Sequence, residues 1–271
     1  MVIATNKPQT TRNLIEISYT HNSDYLINFI DTPGLHLPKN KFDNFLNGQI
    51  KKALKRCEIH LFLFDVSRTY DKEDQECLKV LKDFHCENVI LVLNKIDLVD
   101  ADKLNRIIQE LQQHYAFKNT IAICANEQND VQKLIDLIIK SAAFNEVDNL
   151  EINSIKKEIN DKFMVSELIR EAAINLLSHE LPYGIAIVIE EMKYEKENNL
   201  LSISYAIVVE KESHKAIVVG KNGSMVKKIN ILVREKLLEI YDCKIFTSSY
   251  VKVKKNWRQK ESLIKALGYQ K

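Results

Sequence analysis

Two short stretches carry residue types that can handle a phosphate-bound metal and a purine. Asp31-Thr32-Pro33-Gly34 follows the apolar run Tyr25-Leu26-Ile27-Asn28-Phe29-Ile30, which reads as a buried strand. An Asp at the carboxyl end of such a strand lies in the crevice where open α/β sheets bind ligands, and it can hold Mg²⁺ through a water. Pro33 fixes φ, and Gly34 lets a backbone N–H approach a phosphate; the same tetrad is also ordinary turn chemistry. A second apolar run, Val89-Ile90-Leu91-Val92-Leu93, ends in Asn94-Lys95-Ile96-Asp97. Asp97 there can accept from the N1–H and exocyclic amine of guanine, Asn94 can fix the loop, and the Lys95 stem can cover the purine face. A solvated Asn-Lys pair beside a helix-capping Asp is the plainer alternative. Two such motifs in this order, each ending a strand, argue against it.

A third constellation sits in the other half of the chain. Gly220-Lys221-Asn222-Gly223 separates two helical patterns, as in the GXXG loop that clamps a nucleic-acid backbone. The glycines admit phosphates to the main chain, the following helix offers N–H groups, and Lys221, Lys227 and Lys228 add charge. A Gly-capped helical corner is the alternative. From Lys244 onward Lys244, Lys252, Lys254, Lys255, Arg258, Lys260, Lys265 and Lys271 face Glu261 alone, a local basic stretch in a chain of formal charge only +2. Lys254 and Arg258 are candidate phosphate contacts. Trp257 is read as anchoring the last helix rather than stacking on a base.

Together with Lys7-Pro8-Gln9-Thr10-Thr11-Arg12, the DTPG and NKID motifs resemble the Era family of bacterial GTPases. The resemblance implies an α/β Ras-like P-loop GTPase domain followed by an α+β type II KH domain. It implies that Gln9, Thr10, Thr11 and Arg12 form the first switch, with Thr11 and Asp31 on Mg²⁺, although the adjacent Thr10 stays an alternative. Asp31, Thr32, Pro33, Gly34 and Leu35 would face phosphate and Mg²⁺. Leu35 stands where Ras-type enzymes place a water-orienting glutamine, which an aliphatic side chain cannot replace. Asn94, Lys95, Ile96 and Asp97 would hold guanine with Cys124, Ala125 and Asn126, the Ala125 N–H meeting O6. Gly220, Lys221, Asn222, Gly223, Lys227, Lys228, Lys254 and Arg258 would hold RNA. The implied ligands are GTP and GDP with Mg²⁺, and the implied partners are the 3′ end of 16S rRNA and the small ribosomal subunit. A monomer is expected, cytoplasmic or peripheral at the inner face of the cell membrane.

The elements that must position these groups follow from periodicity. Strands are expected at 13–19, 25–30, 59–65, 89–94 and 120–123, with helices at 42–54, 72–84, 101–114 and 130–142. The spacing predicts a mostly parallel sheet in residues 1–145, a charged linker at 146–163 and a second domain at 164–271. In that domain strands 184–193 and 200–210 precede the GXXG helices and strand 244–253 follows them. No apolar run approaches the ~20 residues of a membrane span. Five scattered cysteines without a CxxC pair read as reduced thiols rather than a metal site. No GxxxxGK[ST] loop occurs in the 271 residues. In such a fold it supplies N–H groups, a Lys for the β/γ-phosphates and a hydroxyl for Mg²⁺. The expectation is therefore an amino-terminally shortened family member, without the strand between 25–30 and 59–65. Its function would be GTP hydrolysis in ribosome assembly or, alternatively, RNA binding without nucleotide cycling.

Overall fold

A computed structural model describes residues 10–22, 24–143 and 162–269. Gln9 and nearly all of the expected linker lie outside the described residues. The chain divides into two compact bodies, one of Leu14–Pro38 and Leu46–Leu150, the other of Met1–Asn13, Lys39–Phe45 and Glu151–Lys271. The boundary expected near residue 146 thus gains two exceptions, because residues 10–13 and 39–45 pack with the second body.

In the first body, β1 (Ile15–His21) and β2 (Tyr25–Asp31) form an antiparallel hairpin that pairs Ile15 with Asp31. A separate parallel sheet holds β3 (His60–Asp65), β4 (Val89–Asn94) and β5 (Asn119–Ile123) in that order. Val89 to Leu93 are all fully buried, which is why β4 is continuously apolar rather than alternating. Successive side chains of a strand point to opposite faces. Val89, Leu91 and Leu93 accordingly join the cluster with Leu78, Leu81, Ile107 and Leu111. Ile90 and Val92 join the other cluster, with Ile135, Ile138 and, from the hairpin, Ile27 and Phe29. Four helices complete the α/β alternation: α1 (Lys41–Leu54), α2 (Lys72–Asp83), α3 (Ala101–His114) and α4 (Gln128–Ser141). Asp71 caps α2 in a reciprocal capping box with Asp74, and Asp100 caps α3. No ladder joins β2 to β3, and Leu63 of β3 is 60% exposed, so the strand expected between them has no substitute among the described residues.

The second body contains α5 (Lys162–Leu176), a four-residue turn α6 (Leu181–Gly184), β6 (Ala186–Glu195), β7 (Leu200–Val209), α7 (Glu212–Val219), α8 (Ser224–Leu238), β8 (Lys244–Val253) and α9 (Glu261–Ala266). The sheet order is β6-β7-β8, antiparallel then parallel, with an irregularity between Ile189 and Glu191. Two strands precede the GXXG segment and one follows it, as the sequence predicts. Val165, Ile169 and Ala172 of α5 and Ile229, Val233 and Leu237 of α8 recur at helical spacing and share one core with Leu201, Ile203 and Ile207 of β7.

Candidate nucleotide corner and nucleic-acid interface

β4 and β5 run parallel in register, so the residues after their carboxyl ends meet. Asn94, the last residue of β4, accepts from its neighbour's N–H (Lys95 N, 2.8 Å) and from Ala125 N (3.0 Å), using Oδ1 for both. Lys95 adopts a left-handed conformation (φ 65°) that turns the chain into a 3-10 turn over Ile96–Leu98. That turn leaves Ile96 packed against the core and Asp97 exposed. The Cys124 thiol has its pKa raised: the Asn126 N–H lowers it, but the nearby Asp97 carboxylate and burial outweigh that, while Asp130 Oδ2 accepts from Cys124 N at 3.0 Å. Ala125 and Asn126 are exposed beside them. The structure therefore gathers Asn94, Lys95, Asp97, Cys124 and Ala125 at one corner, with the exposed Asp97 carboxylate able to accept from a base.

Two details differ from expectation. The Ala125 N–H is held by Asn94 rather than open, so meeting a guanine O6 requires it to share or exchange that partner. The Lys95 ammonium is also engaged, a contact the motif did not show: its Nζ donates to Asp65 Oδ2 at 2.6 Å. Burial alone would raise the Asp65 carboxyl, but hydrogen bonds from Lys95 and Ser67 hold it down at about 2. Sequence reasoning missed Asp65. The signal was available in strand pairing, because Asp65 sits opposite Asn94 at the end of the adjacent strand.

At the phosphate end, Asp31 closes β2 and is half-buried, Thr32 and Leu35 are likewise half-buried, and Pro33 is buried. Gly34 is exposed, and a Cβ built there would meet nothing within 4 Å. Thr10 and Thr11 belong with the second body, whereas Asp31 belongs to the first. Among the described residues no group of three or more His, Cys, Asp or Glu is placed to hold a metal ion. Mg²⁺ draws most of its ligands from water and phosphate, so the carboxylate of Asp31 and a threonine hydroxyl would hold it only together with a bound nucleotide.

Arg12, expected among the switch residues, is instead a buried anchor of the second body and 1% exposed. Its Nη1 donates to Ile185 O (2.5 Å), its Nη2 to Pro182 O (2.9 Å), and Phe42 covers the guanidinium at 5.6 Å. Planar donors of this kind suit two converging carbonyls. Arg258, expected on RNA, is likewise committed: Nε and Nη2 donate to Glu210 Oε2 at 2.9 and 2.5 Å. Trp257 packs as expected, fully buried, with Nε1 donating to Gly184 O and its ring edge-on to Phe42 at 4.9 Å. Lys254 remains partly exposed.

The GXXG turn is built as its residue types require. Gly220 has φ 73° and ψ 171°, a region open only to glycine, and a Cβ there would fall 2.8 Å from Met225 N. Asn222 and Gly223 follow with φ 52° and 76°, and α8 starts at Ser224. Lys221, Asn222, Lys227 and Lys228 are exposed. A positive-φ turn opening onto a helix amino terminus beside exposed lysines offers the N–H groups and positive charge that a phosphodiester backbone requires.

The comparisons with known proteins agree with this geometry. A family model described as "KH domain" matches residues 180–258, and one described as "50S ribosome-binding GTPase" matches residues 1–95. A GTPase Era of Ureaplasma urealyticum is 40% identical over 268 residues, covering 98% of this chain and 88% of the relative. The chain belongs to the GTPase Era family. Another Era, from Caldanaerobacter subterraneus, is 36% identical over 99% of this chain and 89% of its own. A crystal structure of Era in complex with MgGDPNP and nucleotides 1506–1542 of 16S ribosomal RNA superposes with a TM-score of 0.88 at 26% identity, covering 99% of this chain and 90% of that one. Aquifex aeolicus Era bound to GDP.AlF4− gives 0.86 at the same identity, with the same coverage. The Era-family architecture, a Ras-like GTPase domain and a carboxyl-terminal KH domain, is therefore the fold of this chain.

Proposed function

We propose that this Era-family chain is a guanine-nucleotide-responsive RNA-binding protein that holds the 3′ end of 16S rRNA on the small ribosomal subunit during assembly. The observation that carries this reading is the GXXG turn, with Gly220 in a glycine-only conformation and Lys221, Lys227 and Lys228 exposed beside it. The Asn94–Asp97 corner supports guanine as the base of the nucleotide, and Mg²⁺ would accompany the phosphates as in the MgGDPNP complex of the solved Era. A second reading, limited to these 271 residues, which contain no GxxxxGK[ST] loop, is RNA binding without nucleotide turnover.

RNA titration of the full chain tests the common core of both. Single-stranded RNA ending in the 16S 3′ sequence should bind with a salt slope that falls by about 1.4 when Lys221→Glu and Lys227→Glu remove two phosphate contacts, at about 0.7 per contact for single strands. Unchanged affinity and slope would remove the GXXG turn from the interface.

A further inference from the structure

The sheet of the second body has one covered face and one open face. Leu201, Ile203 and Ile207 of β7 and Ile245, Val251 and Val253 of β8 point into the core shared with α5 and α8. Strand alternation sends the residues between them the other way. On β8, an edge strand, that outward row reads Lys244, Phe246, Ser248, Tyr250 and Lys252, and Lys254 follows just past the strand end. Phe246 and Tyr250 are 55% and 44% exposed. Their partners on β7 are small: Phe246 lies beside Ser202, Ser248 beside Ser204 and Tyr250 beside Ala206. No β7 side chain is large enough to cover either ring. Four residues of strand place the two rings about 13 Å apart on one line.

The charges of this face are segregated. Lys244 and Lys252 are exposed on the β8 edge, and Lys254 is partly exposed. The acids lie on the far side, on β6. Glu191 is in register with Ser204 and so stands about 10 Å from the β8 row, at two strand spacings. Glu195 is paired with Lys193 at 3.4 Å, and Glu190 accepts from the Tyr250 hydroxyl, which anchors that ring at its polar end. Aromatic rings interleaved with lysines along a free edge suit a polyanion that carries flat bases. Its phosphates can follow the edge while its bases lie on the rings.

We propose that the open face of β8 is a second single-stranded RNA contact, with bases stacked on Phe246 and Tyr250 and phosphates neutralised by Lys244, Lys252 and Lys254. Such stacking tolerates any sequence, because every base has a π face. The contact lies on the sheet face opposite α8, whose amino terminus carries the GXXG turn. It rests on the RNA-binding reading above for the class of partner, but not on the GXXG turn.

A fluorescence titration of the full chain carrying Lys221→Glu, Lys227→Glu and Phe246→Trp tests this with oligoadenylate. Trp257 is buried, so the indole introduced at position 246 is the one exposed to ligand. The expected result is saturable quenching that weakens severalfold with Lys252→Glu and about fivefold or more with Tyr250→Ala, the scale of one lost stacked base. In the same GXXG-weakened background without the tryptophan, Phe246→Leu should cost as much affinity as Phe246→Ala, because leucine is apolar but offers no π face. Absence of quenching, or RNA affinity unmoved by Phe246→Leu and Tyr250→Ala, overturns the proposal and leaves the face to a protein partner. RNA affinity that ignores Lys221 and Lys227 yet depends on Phe246 supports it while removing the GXXG turn.

Discussion

Single residues decide the nucleotide corner, and Asp65 is the most instructive of them. Its carboxyl lies at about 2 against an ordinary 3.8, because the Lys95 ammonium and Ser67 hydrogen-bond the charged form more strongly than burial opposes it. A depressed carboxyl contributes stability above its unfolded value and loses it as pH falls through the folded one. The stabilisation, about 1–2 kcal/mol after allowance for solvent screening, should therefore be complete above about pH 5 and be lost as pH falls through about 2. A carbon-detected titration of the Asp65 carboxyl should give a midpoint near 2, and Lys95→Ala should move it back towards the ordinary value. A midpoint near 3.8 in the unsubstituted chain would contradict the ion pair. Asn94 and Asp97 were legible from the motif, because short spacing along one loop fixes where such side chains go. Lys95, Arg12 and Arg258 were legible only as charges. Each found its acceptors at a distance in sequence, Lys95 across 30 positions and Arg12 across 170 or more, and no local pattern carries that information.

At the level of elements, the GXXG segment separates two demands that the sequence presents as one. Gly220 is required by both conformation and space, since a Cβ would collide with the backbone of Met225. Gly223 is required by conformation alone, since its surroundings are open within 4 Å. Gly220→Ala should therefore cost more than the ~1–2 kcal/mol of a left-handed alanine, and Gly223→Ala about that amount. Denaturant unfolding of the two variants measures the order, and equal losses would mean that the backbone at 220 relaxes freely. Helices and strands long enough to show a period were read from the sequence to within a few residues, the buried β4 run and the Phe42–Leu54 helix among them. The four-residue α6 was not, because Leu181-Pro182-Tyr183-Gly184 is too short to show a period and contains a proline that reads as a loop. Its carbonyls nonetheless bind Arg12 through Pro182 and Trp257 through Gly184.

For the whole molecule, the sequence led to a division near residue 146, and the packing modifies it. Residues 39–45 belong to the second body because Phe42 at the start of α1 meets Trp257 and Tyr269 edge-on, at 4.9 and 4.8 Å. A helical spacing shows that Phe42 has an apolar face to bury, but not which core receives it. No helix among the described residues is long and apolar enough to cross a membrane.

The strength of nucleotide binding is set by the whole set of groups that can reach the ligand. In this fold much of the affinity for a nucleoside triphosphate comes from the phosphate loop, and no residues of that pattern occur among the 271. The base corner remains, with Asp97 exposed but with the Ala125 N–H already held by Asn94 at 3.0 Å. Hydrogen bonds of this kind contribute about 0.5–1.5 kcal/mol each net, somewhat more to a charged acceptor. Two or three of them reach about 4 kcal/mol, which corresponds to binding near 1 mM. The 271-residue chain should therefore bind a fluorescent GTP analogue no more tightly than about millimolar, with no measurable release of phosphate from GTP. Asp97→Asn should then reduce even that weak binding, because the base edge is nearly all that holds the ligand. Low-micromolar affinity that depends on Mg²⁺ would show that other residues of this chain do the work of the phosphate loop.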